Sequence, residues 1–334
     1  MKNTIYLFIL IFCACSNSDK HILVTNNGET QGTYYHIKYL SNSGKDFQNQ
    51  IDSLLSRIDN SVSIYKPHSI ISSLNNGIEV KLDEIFNLVY FDALHVAKNT
   101  EGYFDFTVSP LVAYWGFYNN NNNNNIIKVD SFAIQKIMKK VGVDKVIWKD
   151  STVVLTQGVE LDFNAVAQGT SVDLIAKLLE EKGVVNYLIE VGGELKAKGI
   201  NADDNVWRVG IDKPSKDIDF QERFQFILDL KNKALATSGN YRKFHIIDGV
   251  KYAHTINPKT GFPAQNRLLS VTVVTNRCSL ADAYATAFMA MGLKKTKKII
   301  KDLDDQIEVY IVYTDKSGDW KTYISSSMKK RIIN

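Results

Sequence analysis

Cysteine is scarce: the 334-residue chain has three, and two of them, Cys13 and Cys15, lie near its start, leaving Cys278 alone in the remainder. An intramolecular disulfide, a zinc-binding cysteine pair and a dithiol redox centre are thereby excluded for the main body. Proline is rare as well, five in all. No Pro/Gly-rich linker and no internal repeat divides the chain, which argues for one large domain rather than two independent ones. Nor is there a dense basic face: 40 Lys and Arg against 36 Asp and Glu leave a net charge of +4. That excludes a nucleic-acid binder of the usual basic kind, and the terminal "SSSMKKRIIN" reads as a solvated tail. There is no HExxH, no Ser-His-Asp spacing and no Gly-Lys-Ser/Thr loop, so zincin, triad-hydrolase and Walker-type chemistry have no support. What is present is 45% hydrophobic and 11% aromatic residues in a chain long enough to bury a sizeable core.

The first residues, "MKNTIYLFILIFCACSNSDK", combine Lys2, an apolar run from Ile5 to Phe12 and small residues ending at Cys15. The run is too short to span a bilayer as a stable anchor and reads as a secretion signal over residues 1–15. Ala14-Cys15 resembles the lipobox of bacterial lipoproteins, which predicts a lipidated Cys15 and a polar tether over 16–25; an ordinary cleaved signal is the alternative. Residues 26–330 then form the domain, carried on the membrane by its lipid and facing the periplasm of the cell envelope.

Apolar and polar residues alternate in "HILVTNNGETQGTYYHIKYL", which predicts a hairpin turning around Asn26-Asn27-Gly28. Helical spacing follows from Lys45 to Asn60 and again from Leu82 to Gly102. The asparagine run at 119–125 has nothing to bury and reads as a disordered insertion. Beyond it the chain predicts a helix at "SFAIQKIMKKVG", a hairpin at "KVIWKDSTVVLT", and a strand passing into a helix across "VELDFNAVAQGTSVDLIAKLLEEKG". Strands and two further helices alternate to a final hairpin. The fold class is α+β: a single large domain with mixed or antiparallel sheets and packed helices.

Four stretches could carry chemistry. In "SLADAYATAFMAMG", Asp282 and Thr286 stand at i, i+4 on one face of an apolar helix. They suit either a structural role, with Ser279 and Asp282 spaced as a capping box and Thr286 bonded back to the carbonyl of residue 282, or part of a hard-metal shell. "VELDFNAVAQGTSVD" places Asp162 before the small residues Ala165, Ala167 and Gly169 at a helix start, where a ligand can approach the backbone closely. "LATSGNYRKF", with Tyr241 and Arg242, suits a tight turn. "YAHTINPKTGFPAQN" sets His254 ahead of Asn257-Pro258, and a lone histidine there is more often structural than catalytic.

Taken in order, "GTYYHIKY", "SIYKPHSIISSLN", "GYFDFTVSPLVAYWGF", "LDFNAVAQGTSVDLIAKLLEEKGVVNYLIEVGGELKAKG", "WRVGIDKP", "ATSGNYRKF", "HTINPKTGFP" and "ADAYATAFMAMG" resemble the ApbE family of flavin transferases. The resemblance implies Mg2+-dependent cleavage of FAD at its pyrophosphate, with FMN moved onto a Thr or Ser hydroxyl of a target protein as a phosphoester and AMP released. It implies metal ligation by the Asp282 carboxylate, the Thr286 hydroxyl and the Ala165 carbonyl, and FAD contacts at Tyr65, Tyr103, Phe104, Asp105, Asp162 and Ile256. Gln31 stands where the family commonly has Met against the flavin, Gln168 where it has Lys or Glu, and Asn257 where Asp is usual. His254, beside the pyrophosphate by the same analogy, is the candidate base. The implied partner is a flavoprotein subunit of a membrane electron-transfer complex. This chain has no Asp-Gly-x-Thr/Ser-Gly-Ala-Thr/Ser acceptor sequence of its own, so it would act on another protein. An FAD pyrophosphatase using the same site and a non-catalytic FAD-binding lipoprotein are the alternatives.

Overall fold

The computed structural model describes residues 21–118, 129–214, 224–240, 244–303 and 306–333. The signal, Cys15, residues 16–20 of the tether, the asparagine run and the pair Tyr241 and Arg242 lie outside the described residues. The chain opens with strands β1 (Ile22–Thr30) and β2 (Thr33–Ser41), then helices α1 (Gln48–Val62), α2 (Ile70–Asn75), α3 (Glu84–Asn99), α4 (Ser109–Tyr114) and α5 (Ser131–Met138). Strands β3 (Val146–Lys149) and β4 (Thr152–Leu155) precede α6 (Asn164–Glu181). Next come β5 (Tyr187–Val191), β6 (Glu194–Lys198), β7 (Arg208–Asp212), β8 (Phe224–Asp229) and β9 (Ala234–Gly239). The hairpin β10 (Phe244–Ile247) and β11 (Val250–Ala253) leads to β12 (Leu268–Thr275), α7 (Cys278–Met291) and α8 (Leu293–Asp302). Strands β13 (Glu308–Thr314) and β14 (Trp320–Ile324), helix α9 (Ser326–Lys329) and β15 (Ile332–Ile333) close the chain.

The expected α+β class holds, and every ladder among the described strands is antiparallel. The main sheet runs β1-β2-β5-β6-β9-β12-β13-β14. Strands at its centre are buried on both faces. Val271, Val273, Val309 and Ile311 face the large core formed with α1, α3, α6 and α7. Their neighbours Val274, Tyr310 and Val312 point the other way, onto β7, β8 and α9. A third, smaller cluster of Leu111, Trp115, Ile134, Val141, Ile247 and Ile256 joins α4 and α5 to the β10–β11 hairpin.

Several local expectations are corrected. The first hairpin turns at Gln31-Gly32, not at Asn26-Asn27-Gly28: both turn residues have positive φ, 51° and 71°, as a two-residue turn matched to strand twist requires. Gly28 lies inside β1 because Tyr35 occupies the space above it; a Cβ there would be 2.7 Å from Tyr35 Cε1. Residues 22–25, expected in the tether, are strand, paired with Ser41 to Lys38. The segment before α6 is not a strand. Its backbone is held by other partners, Leu161 N–H by Asn75 Oδ1 (2.7 Å) and Asp162 N–H by the Phe106 carbonyl (2.7 Å). No described helix is long and apolar enough to cross a membrane.

Helix α7 is the centre of the layer: all of it but Leu280 and Thr286 is buried, so it is walled in on every side, and apart from the stripe Ser279, Asp282 and Thr286 it is largely apolar. It lies closest to α6 at Gly169, where an added Cβ would stand 2.4 Å from the Cys278 carbonyl oxygen. Gly169→Ala is therefore expected to push α6 and α7 apart, at a cost of about 1–3 kcal/mol, read as a lowered Tm in thermal unfolding.

Candidate active site

Two hydrogen bonds set the register of α6 against α7. Ser279 N–H donates to Asp173 Oδ2 (3.0 Å), and Gly169 N–H donates to Asp282 Oδ2 (3.1 Å). Moving one turn along α7, from Ser279 to Asp282, moves one turn back along α6, from Asp173 to Gly169, so the helices pack antiparallel. One further turn on each brings Thr286 opposite Ala165. Ala165 is the one residue inside α6 with non-helical angles (φ −93°, ψ 19°), and its carbonyl is the one that Gly169 N–H would close on in a regular helix. Asp282 and Thr286 thus lie on the face of α7 turned to α6, and Ala165 lies one turn before Gly169 on α6.

The capping-box reading of α7 is overturned. The Ser279 hydroxyl donates to Asp92 Oδ2 (2.8 Å), the N-cap position belongs to Arg277, and the Asp282 carboxylate turns to α6 instead. Nor does Thr286 bond back to residue 282: its half-buried hydroxyl has no hydrogen-bond partner among the described residues. Burial pushes the Asp282 carboxyl up to about 7, opposed by the Gly169 N–H. A carboxylate this poorly solvated gains most from a cation beside it. The donor set of one carboxylate, one hydroxyl and one carbonyl oxygen is all hard oxygen and fits Mg2+, which takes few protein ligands and keeps room for water and phosphate. No group of three or more His, Cys, Asp or Glu among the described residues could hold a metal by itself.

The other expected residues fall into four places. Asp162 accepts from Tyr118 Oη (2.6 Å) and from Asn164 N–H (2.7 Å), and Tyr65, 62% exposed, meets Tyr118 edge-on at 6.4 Å. Burial pushes the Asp162 carboxyl up, while the Tyr118 hydroxyl and Asn164 pull it down. Gln31, in the β1–β2 turn, reaches α6, the helix that carries Gln168. The Gln31 amide donates to Ser171 Oγ (2.8 Å), and Gln168 Nε2 lies 2.8 Å from where a Cβ of Gly192 would be.

The Tyr103–Asp105 stretch is divided in its roles. Tyr103 is covered by the Lys295 ammonium, 4.3 Å above its ring, whereas Phe104 is in the core, its N–H donating to Thr100 Oγ1 (3.2 Å). Asp105 accepts from the backbone and hydroxyl of Thr107 (2.8 and 2.6 Å), and burial raises its pKa. Lys259 bridges this stretch to the next element, its ammonium 2.8 Å from where a Cβ of Gly102 would be.

That element is the turn after β11. The His254 ring stands edge-on to Phe117 at 6.4 Å, and Phe117 also stacks on His245 at 4.7 Å. Ile256 is buried and bridges to Pro263, while Thr255 Oγ1 donates to Asn240 Oδ1 (2.9 Å). The Asn257 side chain accepts from Lys259 N–H (2.9 Å), and its carbonyl from Thr260 N–H and Gly261 N–H (3.1 and 2.9 Å). An Asx turn needs only a side-chain oxygen, so Asn supplies here what the Asp expected at this position would. Tyr118, Asn164, Lys259, Asp92 and Asp173 had no sequence signal, because each acts through a contact that is distant along the chain.

The model of the ApbE family matches residues 31–311. An FAD:protein FMN transferase of Vibrio cholerae serotype O1 is 33% identical over 96% of this chain and 96% of its own length. One of Haemophilus influenzae is 30% identical over 96% and 94%. The solved structure of the flavin transferase ApbE from Vibrio cholerae superposes with a TM-score of 0.83 at 34% identity, over 93% of this chain and 99% of that one.

Because only an acceptor oxygen is required at position 257, Asn257→Asp is expected to keep the Lys259 amide protected. Asn257→Ala is expected to lose that protection, at about 0.5–1.5 kcal/mol, read by hydrogen exchange of the peptide containing residue 259.

Proposed function

The chain belongs to the ApbE family, and from that membership and the α6–α7 geometry we propose that it is an Mg2+-dependent FAD:protein FMN transferase. The observation that carries the reading is the buried Asp282 carboxylate facing the start of α6, with the Thr286 hydroxyl one turn beyond it and without a hydrogen-bond partner among the described residues. The Asp282 carboxylate, the Thr286 hydroxyl and the Ala165 carbonyl would hold the cation, whose contribution is to neutralise pyrophosphate charge. By the family resemblance, Tyr65, Tyr103, Phe104, Asp105, Asp162, Ile256, Gln31 and Gln168 would bind FAD.

In the reaction, a Thr or Ser hydroxyl of the acceptor attacks the phosphorus of the FMN half. One P–O bond forms to that hydroxyl oxygen. The bond from the same phosphorus to the bridging oxygen breaks, and AMP leaves with the bridging oxygen. His254, edge-on to Phe117 at the start of the 255–263 turn, would take the hydroxyl proton. The acceptor is a flavoprotein subunit of a membrane electron-transfer complex, and the enzyme is anchored in the cell envelope through a lipid on Cys15, facing the periplasm. That placement is supported by the signal and lipobox-like residues at the start of the chain.

The test is incubation of the purified protein with FAD and Mg2+, with and without acceptor, following AMP release and in-gel flavin fluorescence. AMP that depends on acceptor, with fluorescence on it, is the expected result. AMP without acceptor would make the protein a pyrophosphatase, and no AMP under either condition would make it a flavin binder. Asp282→Ala is expected to reduce turnover to background, and His254→Ala to slow it by about 10²–10⁴-fold.

A further inference from the structure

Four polar residues that have no part in the reaction above surround the first turn of α7. That turn needs outside partners, since the first N–H groups of a helix have no intrahelical acceptor and Arg277 at the N-cap supplies no side-chain bond. Asp173, from α6, accepts the Ser279 N–H (3.0 Å) with one carboxylate oxygen and the Lys196 ammonium (2.7 Å) with the other. Asp92, from α3, accepts the Ser279 hydroxyl (2.8 Å) and the Arg277 guanidinium. Three helices and strand β6 are thus tied at Ser279. Both carboxylates are well buried, with side chains 8% and 11% exposed for Asp92 and Asp173.

Ser279 lies on the same stripe of α7 as Asp282 and Thr286, at i, i+3 and i+7, and Asp173 lies on the same face of α6 as Gly169 and Ala165, at i, i−4 and i−8. Rotating or sliding α7 on α6 while Ser279 stays bonded to Asp173 and Asp92 is impossible without breaking one of those bonds. With that rung fixed, Asp282 meets Gly169 and Thr286 meets Ala165. We propose that Asp173 and Asp92 are positioning residues for the metal site: they hold α7 in the register that brings its carboxylate and hydroxyl onto the Ala165 carbonyl. The inference rests on the assignment of a divalent cation to Asp282, Thr286 and Ala165. Neither residue touches the cation or FAD.

The test uses Mn2+ as the probe, its binding to the metal-free full chain followed by electron paramagnetic resonance. Asp173→Asn leaves one acceptor where two donors compete, and is expected to weaken Mn2+ binding about tenfold or more, in the range of residues that orient metal ligands. The Mg2+ concentration for half-maximal AMP release should rise by the same factor, with most of the rate recovered at saturating Mg2+. Ser279→Ala removes only the hydroxyl tie to Asp92, which keeps Arg277, so the protein stays folded; a smaller loss of Mn2+ affinity is expected there. Leu174→Ala, beside Asp173 on α6 but outside the ties, lowers Tm through packing alone and should leave Mn2+ affinity unchanged. Mn2+ affinity within twofold of wild type in both Asp173→Asn and Ser279→Ala, or an equal loss in Leu174→Ala, overturns the inference and leaves the metal site standing. A folded wild-type protein that binds no Mn2+ overturns the metal assignment and the positioning role together.

Discussion

The closeness of α6 to α7 at Gly169 is the constraint from which the rest of the site follows. With no side chain at that position, the backbones of the two helices come near enough for a peptide N–H of one to reach a carboxylate of the other. The same closeness removes water from Asp282, which is why its carboxyl is held toward its neutral form. A group in that state is costly to keep in a core without function, and it is compensated only in part by one N–H. Ala165 departs from helical angles on the facing helix, and the Thr286 hydroxyl has no partner among the described residues; the proposed hard cation would take both oxygens together with the carboxylate.

The sheet makes that closeness affordable. Strands β9, β12 and β13 are buried on both faces, with one core against the helices and another against β7, β8 and α9. A rigid platform beneath α7 leaves the helix no freedom to relax away from α6, and its alanine-rich surface lets it sit low in the layer. The third cluster does the equivalent service at the other wall of the site. Trp115 donates to the Gly261 carbonyl and stacks on Tyr252, so the turn bearing Ile256 and Asn257 is pinned to α4 and not left as a free loop.

Much of the architecture was legible in the sequence because it depends on periodicity. Helices α1, α3, α6, α7 and α8 and most strands of the main sheet follow from apolar spacing. What failed depended on one residue's environment. The turn at Gln31-Gly32 was misplaced because Asn-Gly is the stronger turn signal, yet Gly28 was needed under Tyr35. The strand expected before α6 was wrong because its hydrogen bonds are taken by Asn75 and Phe106, remote in sequence. The capping box at Ser279 and Asp282 failed for the same reason, with Asp92, Asp173 and Gly169 outcompeting the local pairing.

The sequence by itself determined the α+β class, the long helices, the family and the residue types available for chemistry, since these rest on patterns carried within short windows or in ordered motifs. Only the tertiary structure decided that the Asp282 carboxylate accepts from the Gly169 N–H, that the Asn257 side chain accepts from the Lys259 N–H, and that the Phe104 side chain belongs to the core. Each of these is settled by groups tens to more than a hundred residues apart or by the hydrogen bond that a particular atom finds once the helices are packed. No spacing along the chain encodes that choice, because burial and the competition for donors exist only after the chain has folded.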